Sequence, residues 1–355
     1  NFIGALQLTI LVSGMIGLAF ILFLLREQNP FYQLLMLSGF IILSMIWIAT
    51  IFFFFMKQYK QILWLFLIGY GISVGSAVAL RPFGLEGLLA GFVIGQFVLL
   101  LGMLVLTLRT YPSDRFAEFD FAAKGRMYPA LMWIGFLYNF GVWVDKFFFW
   151  YGADTGQAII GPLRASLIYD LPIFLAYLSI IPGMAVFLTR METDFVEYYD
   201  KFYNAVREGG SLDQIEYLRD EMVFTIRQGI FEIIKIQSIA VLVTFVAAPA
   251  LLRLLGVSQL YQGLLYIDVV AAGTQVVLLG LLNVFFYLDK RRIVLLLCGV
   301  FVMLNILLTW VSLQLGPAYY GYGFALALLV TVLLGMMLLD RKLERLEYET
   351  FMLQA

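Results

Sequence analysis

Apolar residues dominate ten stretches of about 18 to 26 residues, and short polar breaks separate them from Ile3 to Leu339. The breaks place the stretches at 3–25, 31–56, 61–80, 87–108, 127–150, 167–188, 233–252, 262–288, 293–313 and 321–339. A helix needs about 20 residues to cross a hydrocarbon core of roughly 30 Å, so each stretch predicts a membrane-spanning helix. In lipid the backbone has to satisfy its own hydrogen bonds, which runs of this length do as helices rather than as the shorter strands of a barrel. The pattern predicts an all-α, polytopic membrane protein with about ten transmembrane helices.

Two breaks are longer than the rest. Arg109–Arg126, RTYPSDRFAEFDFAAKGR, separates four stretches from six and predicts a lobe boundary: an N-terminal lobe over 1–126, ending in a cytoplasmic linker at 109–126, and a C-terminal lobe over 127–355. The second break, 190–229, has its own helical period. Phe195, Tyr198, Tyr199, Phe202 and Val206 fall on one face. Gly209-Gly210 ends that helix, Ser211 with Gln214 opens another, and Leu212, Ile215, Leu218 and Met222 line its apolar side. The segment carries five basic against nine acidic residues, a balance that anionic lipid repels. Its apolar positions, Phe195, Tyr199, Phe202, Leu212 and Ile215, are therefore candidates for docking a protein partner, and an amphipathic connector lying on the membrane is the alternative.

Composition agrees with the pattern: 63% of residues are hydrophobic and 13% charged, more apolar surface than a soluble fold of 355 residues can hide. Charge then orients the chain. Seventeen of the 23 basic residues fall at one set of helix ends, including Lys57, Arg109, Arg115, Lys124, Arg126, Lys290, Arg291, Arg292, Arg341, Lys342 and Arg345. Only Arg26, Arg81, Arg164 and Arg253 fall at the opposite set, which predicts a cytoplasmic C-terminus. The first stretch starts with the chain itself, so the expectation is a portion of a longer protein with spans missing at the N-terminus.

Candidate chemistry sits where charge enters the apolar stretches, since each buried charge costs about 2.5–3.5 kcal/mol on insertion scales. Asp145, Lys146, Arg164, Asp170 and Asp268 all fall toward one side and are candidates for a transport path. Asp145 and Lys146 are neighbours that diverge by about 100° around a helix, which argues against their pairing; Lys146 with Asp170, at comparable depth, is the expected pair. Glu232 and Lys235 are expected to pair locally. Phe148, Trp150 and Tyr151 are candidate stacking faces for sugar rings, with an interfacial aromatic belt as the competing explanation. Pro172, Pro182 and Gly183 mark the sixth stretch as a candidate gating helix.

Enzyme chemistry finds little support. The chain has no His and a single Cys, Cys298, which excludes histidine bases and thiolate metal clusters; no metal site and no cofactor are expected. No G-x-x-x-x-G-K-[ST] motif is present, so transport energy has to come from an ion gradient, a lipid carrier or coupled synthesis.

The run IPGMAVFLTRMETDFVEYYDKFYNAVREGGSLDQIEYLRDEMVFTIRQGIFEIIKIQ, Ile181 to Gln237, together with WVDKFFFWYG at Trp143–Gly152, resembles the PelG family of Pel exopolysaccharide biosynthesis. The resemblance implies a two-lobe, flippase-like bundle of the multidrug/oligosaccharidyl-lipid/polysaccharide superfamily, with twelve helices in the full chain. It also implies export of nascent polysaccharide in a complex with PelD, PelE and the cytosolic glycosyltransferase PelF. Polysaccharide and membrane lipid are the expected partners and nucleic acid is not. A non-conducting scaffold of the synthase and an ion-coupled small-molecule antiporter remain open as alternatives.

Overall fold

A computed structural model describes residues 1–55, 59–112, 118–123 and 128–352. The calls on Lys57, Arg115, Lys124 and Arg126, with residues 113–117 and 124–126 of the linker at 109–126, lie outside the described residues. Among the described residues the chain is all-α apart from one short hairpin, β1 (Gln157–Ile160) and β2 (Leu163–Ala165). It divides into two compact units: Asn1–Tyr128 with Ala158–Leu163, and Pro129–Gln157 with Arg164–Ala355.

The first unit contains α1 (Phe2–Leu24), α2 (Pro30–Phe55), α3 (Tyr59–Leu80) and α4 (Gly84–Thr110). Its tightest seam is made by the absence of side chains. Gly87, Gly91 and Gly95 repeat every four residues along α4, and α3 offers Ser73, Ser76 and Ala77 opposite them. Small residues let membrane helices approach until backbones touch, which replaces the hydrophobic drive that lipid does not supply. A methyl group on Gly91 would lie 2.3 Å from the backbone nitrogen of Ala77. Ser76 fastens the seam by donating to the Gly91 carbonyl at 2.9 Å.

The second unit contains α5 (Pro129–Tyr151), α6 (Leu167–Leu178), α7 (Ile181–Thr189), α8 (Phe195–Glu208), α9 (Leu212–Leu254), α10 (Gln262–Tyr287), α11 (Arg291–Leu315), α12 (Tyr322–Glu344) and α13 (Leu346–Met352). Helix α10 is the hub, with 67% of its most apolar window buried against 11% for α9. Its wide band of Val, Leu, Ala and Gly, Leu264 to Phe285, lets neighbours pack on several sides.

The segment 190–229 is helical on both sides of a break at Gly209–Ser211, where its period places it. After a π-helical turn, Arg190–Asp194, α7 runs on into α8, which Gly209 ends at φ 72°; the Ser211 hydroxyl then caps α9 by accepting from the Gln214 amide. Helix α9 spans 43 residues, about 64 Å at 1.5 Å per residue, so half of it is surplus to a single membrane crossing.

Among the described residues, seven helical runs are long and apolar enough to cross a membrane, or eight if the bent pair of Leu167–Leu178 and Ile181–Glu208 counts as one span. The difference from ten has identifiable sources. Helices α3 and α4 form one run, Lys60–Thr110, interrupted at Arg81–Phe83 by a short 3-10 turn. Helix α5 is not among the seven; Asn139, Asp145 and Lys146 lie within it. The chain is an all-α polytopic membrane protein.

Replacing Gly91 with Ala is expected to destabilise the protein by about 1–3 kcal/mol, the usual cost of overpacking, because the obstacle is backbone and cannot swing aside. Gly71→Ala, where nothing lies within 4 Å of the added carbon, is the matched control and should leave stability unchanged. Thermal unfolding of the two purified variants in one detergent checks the contrast.

Candidate functional site

Three of the five candidate path charges converge inside the second unit. Asp145 and Lys146 stand near the C-terminal end of α5, Asp268 stands two turns into α10, and all three are buried. Asp145 is fully enclosed. Its carboxylate accepts from the Tyr169 hydroxyl of α6 at 2.6 Å, from Lys146 Nζ at 3.1 Å and from Asn305 Nδ2 of α11 at 3.4 Å. Asn305 is held in turn: it donates to the Gly141 carbonyl at 2.8 Å and accepts from Thr309 at 2.8 Å. Polar groups of three helices, α5, α6 and α11, thus meet at one carboxylate, and a buried charge with several donors is the arrangement that offsets its desolvation.

Lys146 pairs with its own neighbour, which corrects the expectation that adjacent residues point too far apart. Its four-carbon stem curls back along α5 so that Nζ also donates to the Val142 carbonyl, one turn earlier, at 2.8 Å. Rings enclose the ammonium: Phe324, Tyr177, Tyr169 and Trp143 have centroids 5.2 to 5.9 Å away. An aromatic box suits a cation taken out of water.

Asp170 does not join this cluster, so the expected Lys146–Asp170 pair is absent. Its carboxylate accepts from Trp150 Nε1 at 2.8 Å and from the Ser166 amide at 2.8 Å, which makes it a clamp on the start of α6. That contact also corrects the role of Trp150: its N–H is engaged by Asp170 and its ring packs edge-on against Phe147, so it is not a free stacking face. Arg164 sits apart from the cluster, donating to the Gly156 carbonyl at 3.3 Å with its guanidinium 5.8 Å from the Tyr151 ring. Phe148 and Tyr151 line a cavity at the same end of α5.

Asp268 is the anomaly of the cluster. Neither carboxylate oxygen has a hydrogen-bond partner among the described residues, although Asp145 and Lys146 are its charged neighbours. Gly321, at φ 84°, leaves the space beside it; a methyl group there would lie 2.9 Å from Oδ1. Two acids therefore share one cation in a closed apolar setting, and the acid without donors is the one whose charge the protein does not compensate. A second polar chain lies alongside: Tyr177 donates to Gln275 Oε1 at 3.2 Å and Gln275 donates to the Tyr138 hydroxyl at 3.1 Å. Tyr169, Asn305, Gln275, Tyr138 and Tyr177 were not selected from the sequence, where Asn305 and Gln275 signal themselves only as amides inside apolar helices.

The sixth stretch is two helices, α6 and α7, bent by 42° at Ser179–Ile180. Pro172 lies inside α6, and Pro182 starts α7, where its missing N–H has no partner to lose. Gln237 of α9 bridges the break by donating to the Ser179 carbonyl at 3.2 Å, and its side chain fills the space left by Gly183.

The proposed docking stripe is mostly internal. Phe195, Phe202 and Ile215 are buried where α8 folds onto α9, and Tyr199 packs against Tyr203 and Tyr287. An amphipathic face reports burial without naming what buries it, and here α9 and α10 do so. Leu212 is exposed, and it is joined on α9 by Tyr217, Phe224 and Phe231 at seven-residue spacing. Glu232 is bonded by Arg190 Nε at 2.5 Å, not by Lys235, because the π-turn brings Arg190 across to α9.

The described residues contain no group of three or more His, Cys, Asp or Glu side chains able to hold a metal ion. Residues 1–351 match the family described as "PelG: Putative exopolysaccharide Exporter (EPS-E)". No curated protein and no solved structure is significantly similar to the chain.

Asp145→Asn is expected to destabilise the protein by about 3–5 kcal/mol, the cost of leaving one partner of a buried ion pair behind. Adding Lys146→Met to that variant should recover most of the loss, because the uncompensated ammonium goes with it. Chemical or thermal unfolding of both variants measures this, and additive losses in the double variant count against the pair.

Proposed function

The chain belongs to the PelG family of exopolysaccharide exporters, and from that membership we propose that it carries nascent Pel-type polymer across the bacterial inner membrane within a synthase complex. The observation that carries the reading is the match to that family across residues 1–351, nearly the whole chain. The partners in this reading are PelD, PelE and the glycosyltransferase PelF. The exposed stripe of Leu212, Tyr217 and Phe224, on the part of α9 surplus to a membrane crossing, is where a cytosolic component docks. The C-terminal tail faces the cytoplasm, and the lobes are 1–126 and 127–355.

In this reading Asp145, Lys146 and Asp268 set the electrostatics of the route in the second lobe, while Arg164 and Asp170 fix its entrance. The bend at Ser179–Ile180, with Pro182 and Gly183, gives α6 and α7 a point about which to move. The protein works without a cofactor and without catalysis of its own.

A second reading, an ion-coupled antiporter, is favoured by Asp268 alone. A buried carboxyl without donors is where a coupling cation would land. In proteoliposomes that reading requires an imposed cation gradient to drive small-molecule movement, and requires Asp268→Asn to abolish it.

Cells that make the rest of the synthase but lack this chain are expected to retain polymer inside, and the chain supplied in trans should restore secretion. Lys146→Met, present at the wild-type level, should reduce secreted polymer about tenfold. Full secretion without the chain overturns the export reading; normal secretion with Lys146, Asp145 and Asp268 all neutralised turns it toward the scaffold.

A further inference from the structure

A hollow of about 470 Å³ lies where three parts of the second unit meet: the start of α5, the turn from α10 into α11, and the end of α12. Four cations line it, Lys290, Arg291, Arg292 and Lys342, against one acid, Asp289, among the described residues. That acid is engaged within the wall, since its carboxylate accepts from Arg291 Nε at 2.5 Å and from Nη2 at 3.1 Å. On α12, Asp340 is taken by Arg227 of α9 at 2.6 Å, and neither it nor Glu344 belongs to the wall. The lining thus carries a surplus of three positive charges. The turn that presents them is fixed: Asp289 takes the left-handed conformation at φ 54°, which a short aspartate tolerates better than most side chains, and the Lys290 amide closes the end of α10 by donating to the Phe285 carbonyl at 2.8 Å.

Position narrows the ligand. The runs Arg291–Leu315 and Pro317–Glu344 are both long and apolar enough to cross a membrane, and the hollow lies at the first turn of one and the last turn of the other, which is the level of the lipid headgroups. Ala130 and Ile293 add apolar surface to the wall. We propose that the hollow holds the headgroup of an anionic membrane phospholipid, and that it takes two phosphates rather than one. Basic pockets between membrane helices are suited to such headgroups. Guanidinium groups match phosphate oxygens in pairs and ammonium groups supply point charges, so the four side chains can share two phosphates. A single phosphodiester neutralises one of the three surplus charges and a bis-phosphatidyl headgroup two, while Ala130 and Ile293 meet the glycerol and the first methylenes. A bias of basic residues toward one membrane face orients a chain, but it does not gather four of them around one hollow. The inference is independent of the export reading.

The test uses the full chain, purified in neutral detergent and stripped of lipid, with binding read by native mass spectrometry and by unfolding temperature as lipid is added back. Cardiolipin, the bis-phosphatidyl lipid, is expected to bind at least about tenfold more tightly than phosphatidylglycerol and to raise the unfolding temperature, as a ligand of the folded state does; phosphatidylcholine should do neither. Arg292→Gln should weaken cardiolipin about fivefold and leave the lipid-free unfolding temperature unchanged, since Arg292 is exposed, and adding Lys342→Gln should bring the loss to at least about tenfold. Arg341→Gln removes the same charge from an exposed position at the same end of α12, outside the wall, and should bind cardiolipin as the wild type does. A loss in Arg341→Gln equal to that in Arg292→Gln reduces the effect to general surface attraction and overturns the site. Phosphatidylglycerol binding as tightly as cardiolipin overturns the two-phosphate headgroup, inorganic diphosphate binding as tightly as cardiolipin overturns the lipid in favour of a soluble ligand, and failure of any anionic lipid to bind overturns the proposal outright.

Discussion

The buried pair of Asp145 and Lys146 is the constraint around which the second unit is organised. Neither charge is stable alone in an apolar interior, and the pair is stable only with further donors and acceptors, because desolvation on the order of several kcal/mol per ion is met by geometry rather than by proximity alone. The sequence supplies those groups from separate helices: Tyr169 from α6, Asn305 from α11, and the Val142 carbonyl from α5 itself. Each fixes a rotation. Turning α6 away removes Tyr169, and turning α11 away removes Asn305 and with it the bond to the Gly141 carbonyl. In lipid, where apolar contact does little to select one helix partner over another, such polar bonds between helices add specificity to the packing.

Asp268 shows the limit of that compensation. One ammonium neutralises one carboxylate, and the second acid keeps both oxygens without donors while Gly321 leaves room beside it. A group in this state is not explained by stability, since a Leu or Met of similar size would pack there at lower cost. Its presence is intelligible if another conformation, ligand or cation completes it. The bend between α6 and α7 is a place where such a change can be accommodated, with Gln237 holding the free Ser179 carbonyl in the state described here.

The membrane class, the helical content and the elements at 190–229 were legible in the sequence because each depends on local pattern: run length for the spans, a 3.6-residue period for α8, Ser211 and Gln214 for the start of α9. What the sequence hid is what helices do to one another. The period marked Phe195, Phe202 and Ile215 as an apolar face but did not say what covers it, and the structure buries all three where α8 and α9 pack. The charges show the same division. Asp145, Lys146 and Asp268 stood out as costly residues in apolar runs, but their pairing was misassigned. Angular separation about a helix axis describes Cβ directions, and a lysine ammonium sits four methylenes beyond that point, free to curl back to its neighbour.

That same reach explains why Lys146 is suited to this position and an arginine would not be. The ammonium is compact and is enclosed by four rings within 5.9 Å, with Asp145 and the Val142 carbonyl as its oxygen partners. A guanidinium is a planar fork that needs in-plane acceptors for five N–H groups, and the described surroundings of Lys146 offer aromatic faces where several of those acceptors would have to be. The box therefore selects a point charge. The pair that holds the helices together also includes the one positive charge among the charged neighbours of Asp268, so an ion pair to Asp268 from within that cluster has to draw on the bond that organises the fold.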